Sequence, residues 1–307
     1  VTSTLEVERF ARVTALDRWA SDAVLAAWAG LDLADLQGSF VGDVLPASLT
    51  VLERAQLEAA DIGADYTDEV AAAEGVDPGP RVNRASFVGV ASDGRSLAGL
   101  LSQPLVDLFE ALALGVQSGP AVAASRDSMD EIVTTQVHDA AREAEHVGLA
   151  ANTDLAGYLR VVEPKACGRC VILAGRFYRW NDGFLRHPRC RCSNRPLTKR
   201  SEPQSPRELF DRMSPEDQVN AFGVDGARAV RDGADPGRVV NARRGMSTTT
   251  DGRKARVNVF GREVFTTTAL AGGRKAPVRL MPQSIYEIAG GDRDEAIRLL
   301  RANQYIF

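Results

Sequence analysis

The chain has 307 residues, 44% hydrophobic and 25% charged, enough for a sizeable core and two or three modules. No stretch approaches 18 unbroken apolar residues, which excludes a membrane-spanning helix, and no basic segment followed by an apolar run opens the sequence, so synthesis in the cytoplasm without a secretory leader is expected. The net charge of −4 hides a steep division: residues 1–164 set 26 acids against 10 arginines (net −16), and residues 165–307 set 27 basic residues against 15 acids (net +12).

Two accounts fit that asymmetry. The basic half meets an acidic partner, nucleic acid first among them, or the two halves attract one another. No aromatic-interleaved groove or recognised DNA-binding motif accompanies the charge.

In chain order, the first half reads as helical. Leu5, Phe10, Val13, Leu16, Trp19, Val24 and Trp28 recur at helical spacing from residue 4 to 29. A second helix is expected over 46–73, through Leu49, Leu52, Leu57, Ile62, Tyr66 and Val70, with Pro46 acceptable in its first turn. Gly75–Pro80 breaks the pattern and Ser92–Arg95 turns the chain. Helical periodicity resumes through Leu97, Leu101, Leu105, Leu108 and Leu112, then over about 120–150 through Val122, Met129, Val133, Val137 and Val147. These stripes read as core. His138 and His146 lie eight apart, about 80° around the axis of the last helix. Without a nucleophile motif beside them, and with no G-x-S-x-G in the chain, they read as structural.

A strand at Tyr158–Val162 leads into the densest chemistry of the sequence. All four cysteines fall within 26 residues, as C-x2-C, sixteen residues, then H-x2-C-x-C: Cys167, Cys170, His187, Cys190 and Cys192. Two corners of soft ligands joined by a short excursion suit tetrahedral zinc. Cys167, Cys170 and Cys190 are the first three ligands, while His187 and Cys192 compete for the fourth place. In an extended segment Cys190 and Cys192 point to one side, so both could bind. The alternatives are two disulfides, which need an oxidising compartment, or plain thiols.

A catalytic zinc keeps a position open, whereas here the ligand supply exceeds four, which favours a closed structural site. Residues 171–186 read as a small hairpin, Val171–Leu173 and Phe177–Trp180 around Gly175, too short to bury its own core. Metal binding adds on the order of 10 kcal/mol to the folding of such a unit. The H-x-E half of a nucleobase deaminase is missing, no H-E-x-x-H occurs, and three histidines are few for an HNH nuclease.

Beyond Pro196, residues 197–204 read as a linker. Ser205 caps a helix at 206–213, with Pro206 first and Glu208 third, and Ser214-Pro215-Glu216-Asp217 repeats the device for 215–222. A short helix follows at 227–233. Residues 247–268 look loop-like, with one strand at Val257–Phe260, and helices begun at Pro282 and Asp292 finish the chain. The expected fold class is α+β: a predominantly helical N-terminal half, a small zinc-stapled β module and a basic tail with short helices. The expected domains are an N-terminal helical arm (1–80), a helical domain (81–156), the zinc module (157–197) and a basic C-terminal region (198–307).

The acidic helical half, the C-x2-C with His187-Pro188-Arg189-Cys190-Arg191-Cys192, and the basic tail together resemble the MuF-like minor capsid or head morphogenesis proteins of tailed phages. The tail segments Ser214–Gln218, Val239–Met246 and Gly290–Ala296 are similar to versions from phages of actinobacteria. The likeness covers roughly residues 90–307. It implies a non-enzymatic protein in few copies in the virion, inside the capsid near the portal vertex. It implies binding to the portal protein, with the major capsid protein a further partner, and contact with packaged double-stranded DNA. The implied role is head assembly or DNA retention and ejection, with zinc as a structural ion, no catalytic residues and no membrane. The family's ligand positions map onto Cys167, Cys170, His187, Cys190 and Cys192. Proteins from the same gene slot are also called capsid maturation proteases; that alternative would work through His138 or His146. A zinc-dependent nuclease is a third reading.

Overall fold

Ser3 and Glu6 cap one another at the start of α1 (Thr4–Trp28): the Ser3 hydroxyl accepts from the Glu6 amide at 3.4 Å, and Glu6 Oε2 accepts from the Ser3 amide at 2.5 Å. The protein is described by a computed structural model covering residues 3–163, 166–184, 186–244, 256–259, 262–267 and 279–306. The chain divides into two compact units, residues 1–163 with 177–202, and residues 164–176 with 203–307.

In the first unit the second helix starts earlier than its hydrophobic stripe suggests. Asp35 caps α2 (Leu36–Ser39) through the Gly38 amide at 2.9 Å, and a π-helical turn at Phe40–Val44 leads into α3 (Leu45–Ala73). Pro46 lacks the amide an ordinary α-turn would use here, and the wider π-turn absorbs the gap. After the 75–80 break come α4 (Leu97–Ala113), capped by Ser96, and α5 (Ser118–Ala151).

Helices α1, α3 and α5 pack side by side, with α4 against α5. Val13, Val24, Trp28, Phe40, Leu52, Leu101, Met129, Val133 and Val137 form one continuous core. Each such side chain contributes about 1.5–3 kcal/mol by leaving water. The α3–α5 contact is built from small residues, Ala55, Ala59, Gly63, Ala140 and Ala141 among them, which lets the backbones approach closely. Trp19, expected in the core, is 39% exposed and lies under the Arg54 guanidinium at 5.0 Å; Leu57 is exposed too. Both belong to helical stripes wider than the face that is covered.

Three antiparallel strands complete this unit in the order β2–β1–β3: β1 (Gly157–Val161), β2 (Phe177–Arg179) and β3 (Ser193–Leu197). Tyr158 stands opposite both Tyr178 and Pro196, and β3 lies against α3 and α5. The expected hairpin within 171–186 is not formed. Gly168–Val171 is a short helix, α6, and Phe177–Arg179 pairs with Gly157–Leu159 instead. Val171 is buried in the core of the second unit, so its apolar run serves a helical contact, not a strand.

That second unit is a cluster of short helices: α6, α7 (Pro206–Arg212), α8 (Pro215–Phe222), α9 (Val224–Arg231), α10 (Pro236–Arg244), α11 (Pro282–Ala289) and α12 (Arg293–Ala302). Ser205, Ser214 and Asp292 cap α7, α8 and α12 through side-chain oxygens. The core joins Phe210 and Phe222, edge to face at 5.2 Å, with Val230, Val239, Ile285, Leu300 and Tyr305. Helix α9 begins at Val224, before the expected 227, and α10 had no counterpart in the hydrophobic pattern. The strand expected at Val257–Phe260 is β4 (Arg256–Val259), paired with an unanticipated β5 (Arg262–Thr267), which pairs in turn with β6 (Arg279–Leu280). Phe260 and the rest of the loop-like 247–268 expectation (247–255, 261 and 268) lie outside the described residues.

Candidate metal centre

The C-x2-C corner is built on α6. Cys167 is its N-cap, exposed to solvent, and Cys170 lies one turn later, 2% exposed; residues three apart share a helix face. The glycine between them is a steric requirement. A Cβ at Gly168 would sit 2.7 Å from the Ala221 carbonyl oxygen, so α6 and α8 meet at a distance only glycine allows.

The second corner is a turn. The Cys190 amide donates to the His187 carbonyl at 3.0 Å, Pro188 occupies the second position, and Arg189 takes a left-handed φ of 59° at the third. That unfavourable backbone is pinned to α5: the Arg189 amide donates to Thr135 Oγ1 at 3.0 Å and its guanidinium to Asp130 at 3.0 Å. His187 Nδ1 lies 2.7 Å from the Pro188 carbonyl oxygen, which can only accept. A proton on Nδ1 would serve this contact and leave Nε2 available as a ligand nitrogen.

Cys190 and Cys192 are buried at 2% and 1% exposure. Two arginines organise them. Arg142, on α5, donates to the Cys190 carbonyl at 3.2 and 3.1 Å and also to the Cys192 carbonyl, and it pairs with Asp139 at 2.5 Å. Burial opposes its charge, but Asp139 and the Cys190 and Cys192 sulfurs outweigh burial and raise its pKa. Arg160, on β1, directs Nη2 to the sulfurs of Cys192 (3.3 Å) and Cys190 (3.9 Å), with its guanidinium 4.1 Å over the Phe184 ring.

In the second unit the sulfurs of Cys167 and Cys170 lie within 4.8 Å of one another, and in the first unit those of Cys190 and Cys192 do so. Each corner singled out by spacing thus brings two sulfurs to metal-binding distance, and none of the four sulfurs is in a disulfide. The donor set fits a metal ion: soft sulfurs plus one imidazole nitrogen, with two guanidiniums beside the Cys190–Cys192 corner to offset thiolate charge.

The neighbouring arginines are already engaged within the first unit. Arg186 pairs with Asp139 (3.0 Å) and Glu143 (3.4 Å), and Arg191 with Glu163 (3.2 Å) and Asp17 (3.3 Å). Arg195 pairs with Glu6 (3.4 Å) and Glu74 (3.7 Å). For these side chains, together with Arg189, the charge division is used inside the fold.

His138 is fully buried, with Nε2 3.5 Å from Asp17 Oδ2. Burial depresses its pKa, with Asp17 opposing, so the ring is neutral. His146 is half-buried and edge-on to Tyr158 at 5.7 Å. Sequence reasoning missed the buried charges Arg9, Arg142, Glu145 and Arg160. The signal was there: His138, Arg142, Glu145 and Leu149 follow a four-three-four spacing that places them on one face of α5. Arg160 likewise alternates in phase with buried Tyr158. Compared with protein-family models, curated proteins and solved structures, the chain matches none.

Proposed function

We propose that this chain is a MuF-like minor capsid protein: a non-enzymatic component inside the head of a tailed phage, at the portal vertex, holding a structural zinc ion. The observation that carries the reading is that each corner of the motif brings two sulfurs within 4.8 Å of one another, Cys167 with Cys170 and Cys190 with Cys192. Around tetrahedral zinc, sulfurs bound at 2.3 Å stand about 3.8 Å apart, inside that limit. Zinc supplies a rigid four-way junction. With five donors available and Cys170, Cys190 and Cys192 buried, the site is closed and structural.

The wider assignment rests on the resemblance of the same motif and of the basic tail. The acidic helical unit is the portal-facing part, with the major capsid protein as a further partner. Contact with packaged DNA is supported by a basic edge that pairing among the described residues does not consume. Arg179 and Leu197 flank Gly157 in the sheet register, which puts Arg179, Trp180, Lys199 and Arg200, all exposed, at one end of the three strands. Cations beside an aromatic ring suit a nucleic-acid backbone and its bases.

The test is made on particles. Purified, nuclease-treated virions should contain the chain in low copy number, and an asymmetric reconstruction should place it inside the shell at the portal vertex. Its absence from mature and immature heads alike would overturn the reading. Elemental analysis of the full chain should find one zinc per molecule, and a metal-free folded chain would remove the staple.

A further inference from the structure

Helix directions bring three connecting segments of the first unit to one end. Arg9 meets Glu145 at 2.7 Å and Asp17 meets His138 at 3.5 Å, so α1 runs antiparallel to α5. Gly63 faces Ala141, and Thr67 Oγ1 donates to the Glu145 carbonyl at 3.4 Å, so α3 runs parallel to it. The Ser125 hydroxyl donates to the Pro104 carbonyl, which folds α4 back along α5. Residues 29–35, the π-turn at 40–44 and the turn at 114–117 therefore gather around the first turns of α5. Trp28 and Phe40, edge to face at 6.0 Å, share the core there with Leu108, Leu112 and Ala121.

The outside of this end is apolar as well. Leu33, Val41, Phe109 and Val116 are exposed, and Leu114, at 85%, is the most exposed large apolar side chain among the described residues. Single exposed hydrophobics are ordinary, but five at one end of a bundle mark a surface that another molecule covers. Its charge is one-sided. Residues 19–53 and 96–125 hold no lysine, arginine or histidine. Asp32, Asp35, Asp43, Asp107 and Glu110 are exposed there, and none joins an ion pair among the described residues. Further along the bundle, Asp17, Asp139 and Glu145 each have an arginine.

That charge selects the partner. Nucleic acid and an anionic membrane would be repelled, and a second copy docked through the same end would set acid against acid. We propose that this end of the bundle docks a basic amphipathic segment of a protein partner, whose apolar side chains cover Leu33, Val41, Phe109, Leu114 and Val116 while flanking lysines or arginines meet the five carboxylates. It stands apart from the virion reading, which is tested on particles, so either can fail alone.

The test titrates an amphipathic leucine–lysine helical peptide into the full chain, followed by heteronuclear NMR at low and high salt. Saturable shifts confined to residues 29–44 and 106–118 are expected, with affinity falling as salt rises. The same peptide with glutamate for lysine, or with alanine for leucine, should bind at least about tenfold more weakly. Leu114→Ser should weaken binding about tenfold, the factor one lost apolar contact of this size imposes. Glu110→Lys should weaken it too, and both side chains are exposed, so both variants should fold. No saturable binding, shifts centred elsewhere on the chain, equal binding of the glutamate peptide, or binding untouched by Leu114→Ser would each overturn the proposal. So would tighter association with phosphatidylglycerol or phosphatidylcholine vesicles, or peptide-free shifts at this end that grow with protein concentration and report self-association.

Discussion

Arg142 reaches the Cys190 carbonyl oxygen with both terminal nitrogens, at 3.2 and 3.1 Å, so a side chain of α5 fixes the backbone between two candidate ligands. It also holds the Cys192 carbonyl, and with both carbonyls drawn to α5 the two sulfurs face Arg160. The ligand geometry of this corner is therefore set by a residue that offers the metal nothing. Arg142→Met should cost about 3–5 kcal/mol, the range for breaking a buried ionic network from one side. On the zinc reading, metal content should fall with it. Arg142→Lys should rescue little, because an ammonium lacks the planar fork that serves two carbonyls and a carboxylate together. Urea unfolding and zinc content of the purified variants measure both effects.

Arg9 and Glu145 form a fully buried pair at 2.7 Å, and Glu145 Oε2 also accepts the Asn194 amide at 2.9 Å. Burial raises the Glu145 pKa, while Arg9 and the Asn194 amide hold it down. Arg9→Met alone strands a buried carboxylate and should cost about 3–5 kcal/mol. Adding Glu145→Gln keeps an acceptor for Asn194 and removes the charge, so the double variant should regain at least half of that loss. A double-mutant cycle in denaturant reads the difference.

The parts of this fold that could be read in the sequence are those governed by local rules. Ser205 and Ser214 announce helix starts because a cap is a three-residue interaction, and the long helices show because an apolar stripe repeats every turn. Val171–Leu173 misled because a short apolar run carries no period, and its place at the end of α6, with Val171 in the core of the second unit, depends on contacts distant in sequence. The ligands were legible for the opposite reason: a C-x2-C corner encodes its own geometry. Arg142 and Arg160 were not, since an arginine in a helix or strand is normally solvated. Only the tertiary position of the Cys190–Cys192 turn makes these two its anchors.

At Gly63 the α3 and α5 backbones come so close that an added Cβ would lie 2.0 Å from the Ala141 carbonyl oxygen. The obstacle is main chain and cannot rotate away. Gly63→Ala should destabilise the first unit by about 1–3 kcal/mol through overpacking, despite alanine's better helix propensity. The same change at Gly42, where nothing lies within 4 Å, should be neutral or slightly stabilising. Thermal melts of the two variants provide the comparison.

On the zinc reading, five donors compete for four places, and charge compensation separates the contenders. Cys192 is buried and its sulfur is 3.3 Å from Arg160, whereas His187 is only partly buried. Cys167→Ser, Cys170→Ser, Cys190→Ser and Cys192→Ser should each lose stoichiometric zinc, while His187→Ala should retain it with weaker affinity. Chelation of the wild-type chain should lower its melting temperature, and the Cys170→Ser chain should not respond. Zinc retained by Cys192→Ser and lost by His187→Ala would give the fourth place to the imidazole.

The buried His138–Asp17 contact sets a pH dependence whose sign can be worked out. Burial lowers the His138 pKa from 6.5, with Asp17 opposing and Arg9 and Arg142 adding to the shift. Asp17 is raised by burial, but hydrogen bonds and charge from His138, Thr134 and Arg191 outweigh this and leave it below 3.8. Both folded pKa values are depressed, so the unfolded chain binds more protons. The stability they contribute is complete above the unfolded values and is lost as pH falls. For His138 the loss begins as pH drops through about 6.5. Glu143, Glu145 and Glu163 act in the other direction: burial raises their pKa values above 4.5, so their contribution is present in acid and is lost as pH rises through the folded values. The wild-type curve mixes the two signs, and a variant is needed to separate them. His138→Gln removes the imidazole titration and leaves the glutamates in place. Between about pH 7 and pH 5, urea-unfolding free energy should fall less in His138→Gln than in wild type. Parallel curves would mean that His138 keeps its ordinary pKa in the fold, which its enclosure beside Arg9 and Arg142 argues against.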